Sequence, residues 1–333
     1  MTTSPCPSTT GSTVSTASLH PADTNRRTLG LVAALACGAL IAIQSRINGE
    51  LGARLHDGIA AAVVSFGLGL LALAVLAGAL APVRRGLAAV REAVGAGHLR
   101  RWQLLGGVCG ALLVVSQGVT VPALGVAVFS VAIVAGQSIS SLAVDRFGLG
   151  PTGRHPLTPA RMIGAVLTVA AVLVAVSSQA TRPGLLALAA LPALAGVGTA
   201  WQTAVNGLVR KFAGLALSAA FINFLAGTVA LLVAFAVDVA LRGWPTGSLP
   251  HEPWLYLGGL IGVGFIAVSA SIVRWTGVLL LSLGTIAGQL VGAAVIDFLV
   301  PAHAHGPGTS TLIGIALTLV AVGIAALPSR HRS

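Results

Sequence analysis

Ten apolar runs follow one another along this chain, each near the ~20 residues with which an α-helix crosses a bilayer. They cover 29–47, 59–81, 102–121, 123–144, 162–178, 185–205, 215–240, 254–273, 278–300 and 312–327. Charged residues make up only 8% of the chain, against about 25% in an average soluble domain. Too few charges remain to coat a soluble protein of 333 residues. The fold class is therefore an all-α integral membrane protein of ten transmembrane helices, with the lipid bilayer as its solvent. The third and fourth runs are separated only by Pro122 and Gly125, and the eighth and ninth only by Arg274 and Gly277. Residues 1–28, rich in Ser, Thr and Pro, read as a disordered tail, and 329–333 as a second short tail. The first run is long for the apolar core of a signal peptide, so it reads as an uncleaved helix.

The net charge of +11 does not point to nucleic acid, which needs a clustered basic face with interleaved aromatics. The 19 Lys and Arg are scattered through short loops instead. With a cytoplasmic N-terminus, 15 of them fall on the inner side; Arg46, Arg54, Arg182 and Arg242 fall outside. That bias predicts both termini in the cytoplasm. The three cysteines and eight histidines show no ligand spacing and no phosphate-binding loop occurs, so no metal and no cofactor is expected.

The runs repeat. Gln44-x-x-x-Asn48-Gly49 recurs as Gln202-x-x-x-Asn206-Gly207, an offset of 158 that also brings Ser65-Phe66 onto Asn223-Phe224 and Gly69 onto Gly227. At an offset of 152, Trp102 and Leu105-Gly106-Gly107 with Gly110 meet Trp254 and Leu257-Gly258-Gly259 with Gly262. The same offset pairs Gly125 with Gly277, Gly136-Gln137 with Gly288-Gln289, and Asp145 with Asp297; Gly164 meets Gly314 in the last run of each half. Apolar runs align by chance, but polar positions do not. The two units are 29–180 and 181–328. Five helices is an odd number, so the second unit enters the membrane from the opposite side. Inverted five-helix repeats of this kind are a recurring plan of secondary transporters, whose site lies between the halves near mid-membrane.

The Asn-Gly after the first helix, the Ser-Phe-x-x-Gly stretch, the Leu-Gly-Gly start of the third helix and the Gly-Gln of the fourth resemble the YdcZ-like branch of the drug/metabolite transporter superfamily, which is EamA-related. The resemblance covers residues 29–328. It implies a ten-helix transporter of the bacterial inner membrane that moves a small metabolite or drug-like solute, commonly outward. Members are often one five-helix unit that must pair. Here two units look fused, and a further homodimer stays open. The resemblance brings no agreed substrate and no catalytic residues.

Unpaired polar groups in hydrocarbon cost several kcal/mol, so those inside the runs should face other helices or a wet cavity. Gln44 and Asn48 share one helix face, as do Gln202 and Asn206. These four, with Gln137, Gln289 and Trp201, are the candidates for lining a substrate path. The rival reading for the amides is interhelical glue. Ser65 and Asn223 read as helix bridges. Asp297 and Asp145 are candidates for proton or cation coupling, although both sit near helix ends, where an ion pair or interfacial anchor is the plainer account. The functional expectation is alternating access. The alternative from another class is a non-transporting helical membrane protein, such as an assembly factor or a lipid-processing enzyme.

Overall fold

The computed structural model describes residues 21–150, 153–154, 158–177, 183–301 and 306–326. The side chains of 269–280, which include Arg274 and Gly277, fall outside that description, as do tail residues 1–20 and 327–333. All regular structure among the described residues is helical: α1 (Pro21–Leu55), α2 (Gly58–Ala79), α3 (Ala81–Gly95), α4 (Gly106–Phe147), α5 (Pro159–Ala175), α6 (Pro183–Ala213), α7 (Ala216–Arg242), α8 (Gly258–Leu299) and α9 (Thr309–Ala325), with 3-10 turns at Arg101–Leu105 and Pro253–Tyr256. Six described segments are long and apolar enough to cross a membrane, and Pro159–Ala175, Gly258–Val268 and Thr309–Ala325 are shorter apolar helices.

One element departs from the sequence expectation. The stretch after Ala79 forms the amphipathic α3, whose Val83, Gly86, Val90 and Ala93 are buried. Their helical spacing is clear, but a search for apolar runs passes over a helix so rich in arginine. The third and fourth runs are distinct helices, as the sequence suggests, which meet within α4 at a break at Gly125, where φ is 82° and ψ is 164°. Pro122 stays inside the helix. A glycine reaches this backbone region without the Cβ clash that bars other residues.

The register of contacts reveals a reversal in α8. Leu31, Leu35 and Ala39 of α1 meet Gly284, Gly288 and Gly292 in ascending order, whereas Gln44 and Asn48 meet Gly262 and Gly258 in descending order. One straight helix cannot run both ways beside α1. The chain direction therefore turns over between Val268 and Leu281.

Packing between the repeats is reciprocal. A Cβ on Gly107 would collide with the Asn223 carbonyl, and one on Gly259 with that of Ser65; Gly136 lies against the Ala193 carbonyl and Gly288 against that of Leu35. In each case the second contact is the first with the repeats exchanged, the signature of a two-fold relation. Phe66 and Phe224 are repeat mates of each other, and their rings touch at 4.9 Å between centroids. A residue touching its own mate lies on the axis. The helices α5 and α9 pair in the same way, Gly164 against Ala325 and Gly314 against Ala175. Small residues let the backbones approach this closely.

Candidate functional site

The reciprocal contacts carry the polar residues to two mirrored positions. Asn48 and Gln44 of α1 face Gly258 and Gly262 of α8; Asn206 and Gln202 of α6 face Gly106 and Gly110 of α4. Each amide pair thus lies against the glycine stripe of the other repeat.

The first cluster is a one-way relay. The Ser45 hydroxyl donates to the Ile41 carbonyl at 2.9 Å. Gln117 Nε2 donates to Ser45 Oγ at 2.9 Å, and Asn48 Nδ2 donates to Gln117 Oε1 at 2.7 Å. Asn48 is 0% and Gln117 1% exposed. Donation thus runs from Asn48 to the Ile41 carbonyl and leaves Asn48 Oδ1 outside the relay as an acceptor. Neither it nor Ser65 Oγ has a hydrogen-bond partner among the described residues, and both oxygens border Gly258.

The second cluster converges rather than relays. Gln202 Nε2 and Asn206 Nδ2 both donate to Asn223 Oδ1, at 3.0 and 2.9 Å. Gln202 and Asn206 are only half-buried. Beside them Trp201 stacks on Trp102, with centroids 6.1 Å apart and planes 21° off parallel. Asn223 bridges α7 to α6, as its sequence position suggested; its mate Ser65 makes no such bond. The sequence reading passed over Gln117, whose signal was a glutamine inside an apolar run. Its repeat position holds Ser269. Each half therefore carries one amide and one serine at these two positions, in opposite order.

Gln289 is buried against α1 near Gly38, and Gln137 packs beside Gly196 of α6. Neither joins the hydrogen bonds of the two clusters.

The two aspartates, mates by sequence, do different things. Asp297 is 6% exposed. Its Oδ1 accepts the Val126 N–H at 3.0 Å and its Oδ2 the Ala127 N–H at 2.8 Å. Those amides open the helix that restarts after Gly125, so Asp297 caps a helix of the other repeat. Asp145 instead pairs with Arg161 of α5 rather than with its sequence neighbour Arg146. At the repeat offset of the last helices Arg161 is replaced by Thr311, which explains why the two carboxylates part ways. Asp238 pairs with Arg242 one turn on, at 3.3 Å.

A family profile described as "Putative inner membrane exporter, YdcZ" matches residues 29–174 and again 187–324. The chain belongs to this DMT YdcZ family. The double match covers most of the chain, and it makes this YdcZ-family member a helical membrane protein of an exporter family. A solved chain described as "Crystal structure of protein" is 18% identical, with a TM-score of 0.53; the alignment covers 91% of this chain and 96% of that one. That likeness concerns the fold alone. No curated protein matches the chain.

Proposed function

We propose that this YdcZ-family protein is a secondary transporter, not an enzyme, which exports a small metabolite or drug-like solute across the bacterial inner membrane by alternating access. Its ten spans form two inverted five-helix repeats, and both termini are cytoplasmic. The observation that carries this reading is the exchange of amides between repeats, Asn48 on Gly258 and Asn206 on Gly106. The inversion has separate support in α4, which meets Asn206 at Gly106 and Gly52 at Gly118. Twelve residues of helix separate those contacts by about 18 Å. The C-terminal ends of α1 and α6 thus lie at different depths.

The two sites are equivalent by repeat but not by burial. Asn48 is sealed while its mate Asn206 is half-buried, and Gln44 and Gln202 are both half-buried. With the positive-inside topology, the cluster with the half-buried asparagine is the cytoplasmic one. Gln44, Asn48, Gln202 and Asn206 line the route at its two gates, Trp201 flanks the inner gate, and Gln137 and Gln289 sit further along the same helices. Asp297 is the stronger coupling candidate, because its carboxylate joins moving repeats; Asp145 is held by Arg161.

The test is accessibility. In a background without Cys6, Cys37 and Cys109, cysteines at Gln44 and Gln202 are exposed to a membrane-impermeant maleimide from each side. Transport predicts labelling of Gln202→Cys from the cytoplasm and of Gln44→Cys from outside, each reduced when the opposite gate is locked open. Labelling of neither, or of both from one side, would sink the alternating-access reading. Comparing metabolites released by cells with and without the protein then narrows the solute.

A further inference from the structure

The amphipathic helix α3 carries more charge than its packing requires. Its buried face lies on the second repeat: Ser218 Oγ donates to the Val83 carbonyl at 3.0 Å. Val90, Ala93 and Leu99 join Val209, Ala213 and Ala219 in one apolar cluster. Arg84 is used locally, donating to the Ala77 and Gly78 carbonyls at the end of α2. Arg85, Arg91, Arg100 and Arg101 are exposed, and so are Arg210 and Lys211 at the end of α6 against which this segment packs. Among the described residues none of these six is in an ion pair with a carboxylate, and Glu92 is the one acid on α3. The same place in the second repeat, 243–257, is filled by a loop and a 3-10 turn without a basic cluster. The fold therefore closes without these charges.

The setting says what the charges meet. The segment joins two helices of membrane-crossing character, so it lies at their ends. Exposed Leu80, Trp102 and Leu105 flank it, and such residues belong at the boundary between acyl chains and headgroups. A polybasic face there is complementary to the negative surface of an anionic leaflet. We propose that Arg85, Arg91, Arg100, Arg101, Arg210 and Lys211 form a binding surface for anionic phospholipid headgroups. Because the first four residues come from one repeat and the last two from the other, a bound lipid touches both halves.

The test uses the full chain in nanodiscs of phosphatidylcholine, with and without phosphatidylglycerol. Wild-type protein should unfold at a higher temperature in the mixed discs and retain phosphatidylglycerol over phosphatidylcholine by about tenfold in native mass spectrometry. Both effects should shrink in about 0.5 M salt. Replacing Arg85, Arg91, Arg100 and Arg101 together by Gln should abolish the preference, while Arg46→Gln with Arg242→Gln should leave it. The milder pair Arg85→Gln and Arg91→Gln serves if the quadruple variant does not fold. An unchanged preference in the variants overturns the proposal, as does equal stabilisation of phosphatidylcholine discs by inorganic phosphate, which would mark a simple anion site.

Discussion

Asp297 caps the helix that begins at Val126, although 171 positions separate the two residues and they belong to different repeats. A helix start inside an apolar layer leaves its first N–H groups without water to bind. Here the break at Gly125 creates that problem and a carboxylate from α8 solves it, with one oxygen for each of two N–H groups. Asp297→Ala should lower stability by about 1–3 kcal/mol, the range for stranding buried donors of a charged acceptor. Asp297→Asn keeps one acceptor and should fall between the two. Thermal unfolding of the purified protein checks the order. A neutral alanine variant would mean that the cap is not holding the break.

The break itself makes a second prediction. At Gly125 a Cβ would sit 2.7 Å from Asp297 Oδ2 on a backbone with φ of 82°. Gly125→Ala therefore adds about 1–3 kcal/mol for a backbone region essentially confined to glycine to a displaced cap. Gly78 in α2 is the control, since nothing lies within 4 Å of its would-be Cβ. Gly78→Ala should be neutral or stabilising by up to about 1 kcal/mol. Equal effects at both sites would refute the distinction.

A third prediction concerns the loop 243–257, which rests on the end of α1. Arg54 donates to Glu50 at 3.0 Å and to Glu252 at 3.1 Å. Glu252 is held below its ordinary value of 4.5, first by its own backbone N–H and then by the Arg54 guanidinium. A carboxylate lowered on folding contributes stability above its unfolded value and loses it as pH falls through the folded one. The pair is exposed, so the effect is small. Glu252→Gln should lower the unfolding temperature slightly at pH 7, and the difference should vanish in the acid range below 4.5. A difference that persists there would assign the effect to something other than this charge.

The sequence showed the repeat and most of the spans, because apolar length and polar spacing are both local signals. Asn48 and Asn206 could be paired by offset alone. What they bind could not, since helix packing decides it: Asn48 meets Gln117 from across the first repeat, and Asn206 meets Asn223 on the next helix. Asp297 could be flagged as a carboxylate in an apolar run, yet its role depends on Gly125 meeting it across the repeat boundary. The helix α3 was hidden for a different reason. Its pattern of Val83, Gly86, Val90 and Ala93 is periodic, but its arginines lower the hydropathy by which membrane helices are found.

The opposite order of amide and serine in the two repeats leads to the last prediction. The first repeat has Ser65 and Gln117, the second Asn223 and Ser269. Gln117 serves Asn48, and Asn223 serves Asn206. Gln117→Ser should therefore strand Asn48 Nδ2, at a cost of roughly 0.6–1.7 kcal/mol for an interhelical hydrogen bond in a membrane protein. Adding Ser65→Asn converts the first repeat to the arrangement of the second and supplies a new acceptor beside Asn48. The double variant should recover most of that loss, although Ser65→Asn alone, with Gln117 still present, overfills a site bounded by Gly258 and should destabilise. Unfolding measurements on the two single variants and the double form a cycle whose coupling term is the readout. Simple additivity of the two changes would show that the repeats do not use these positions interchangeably.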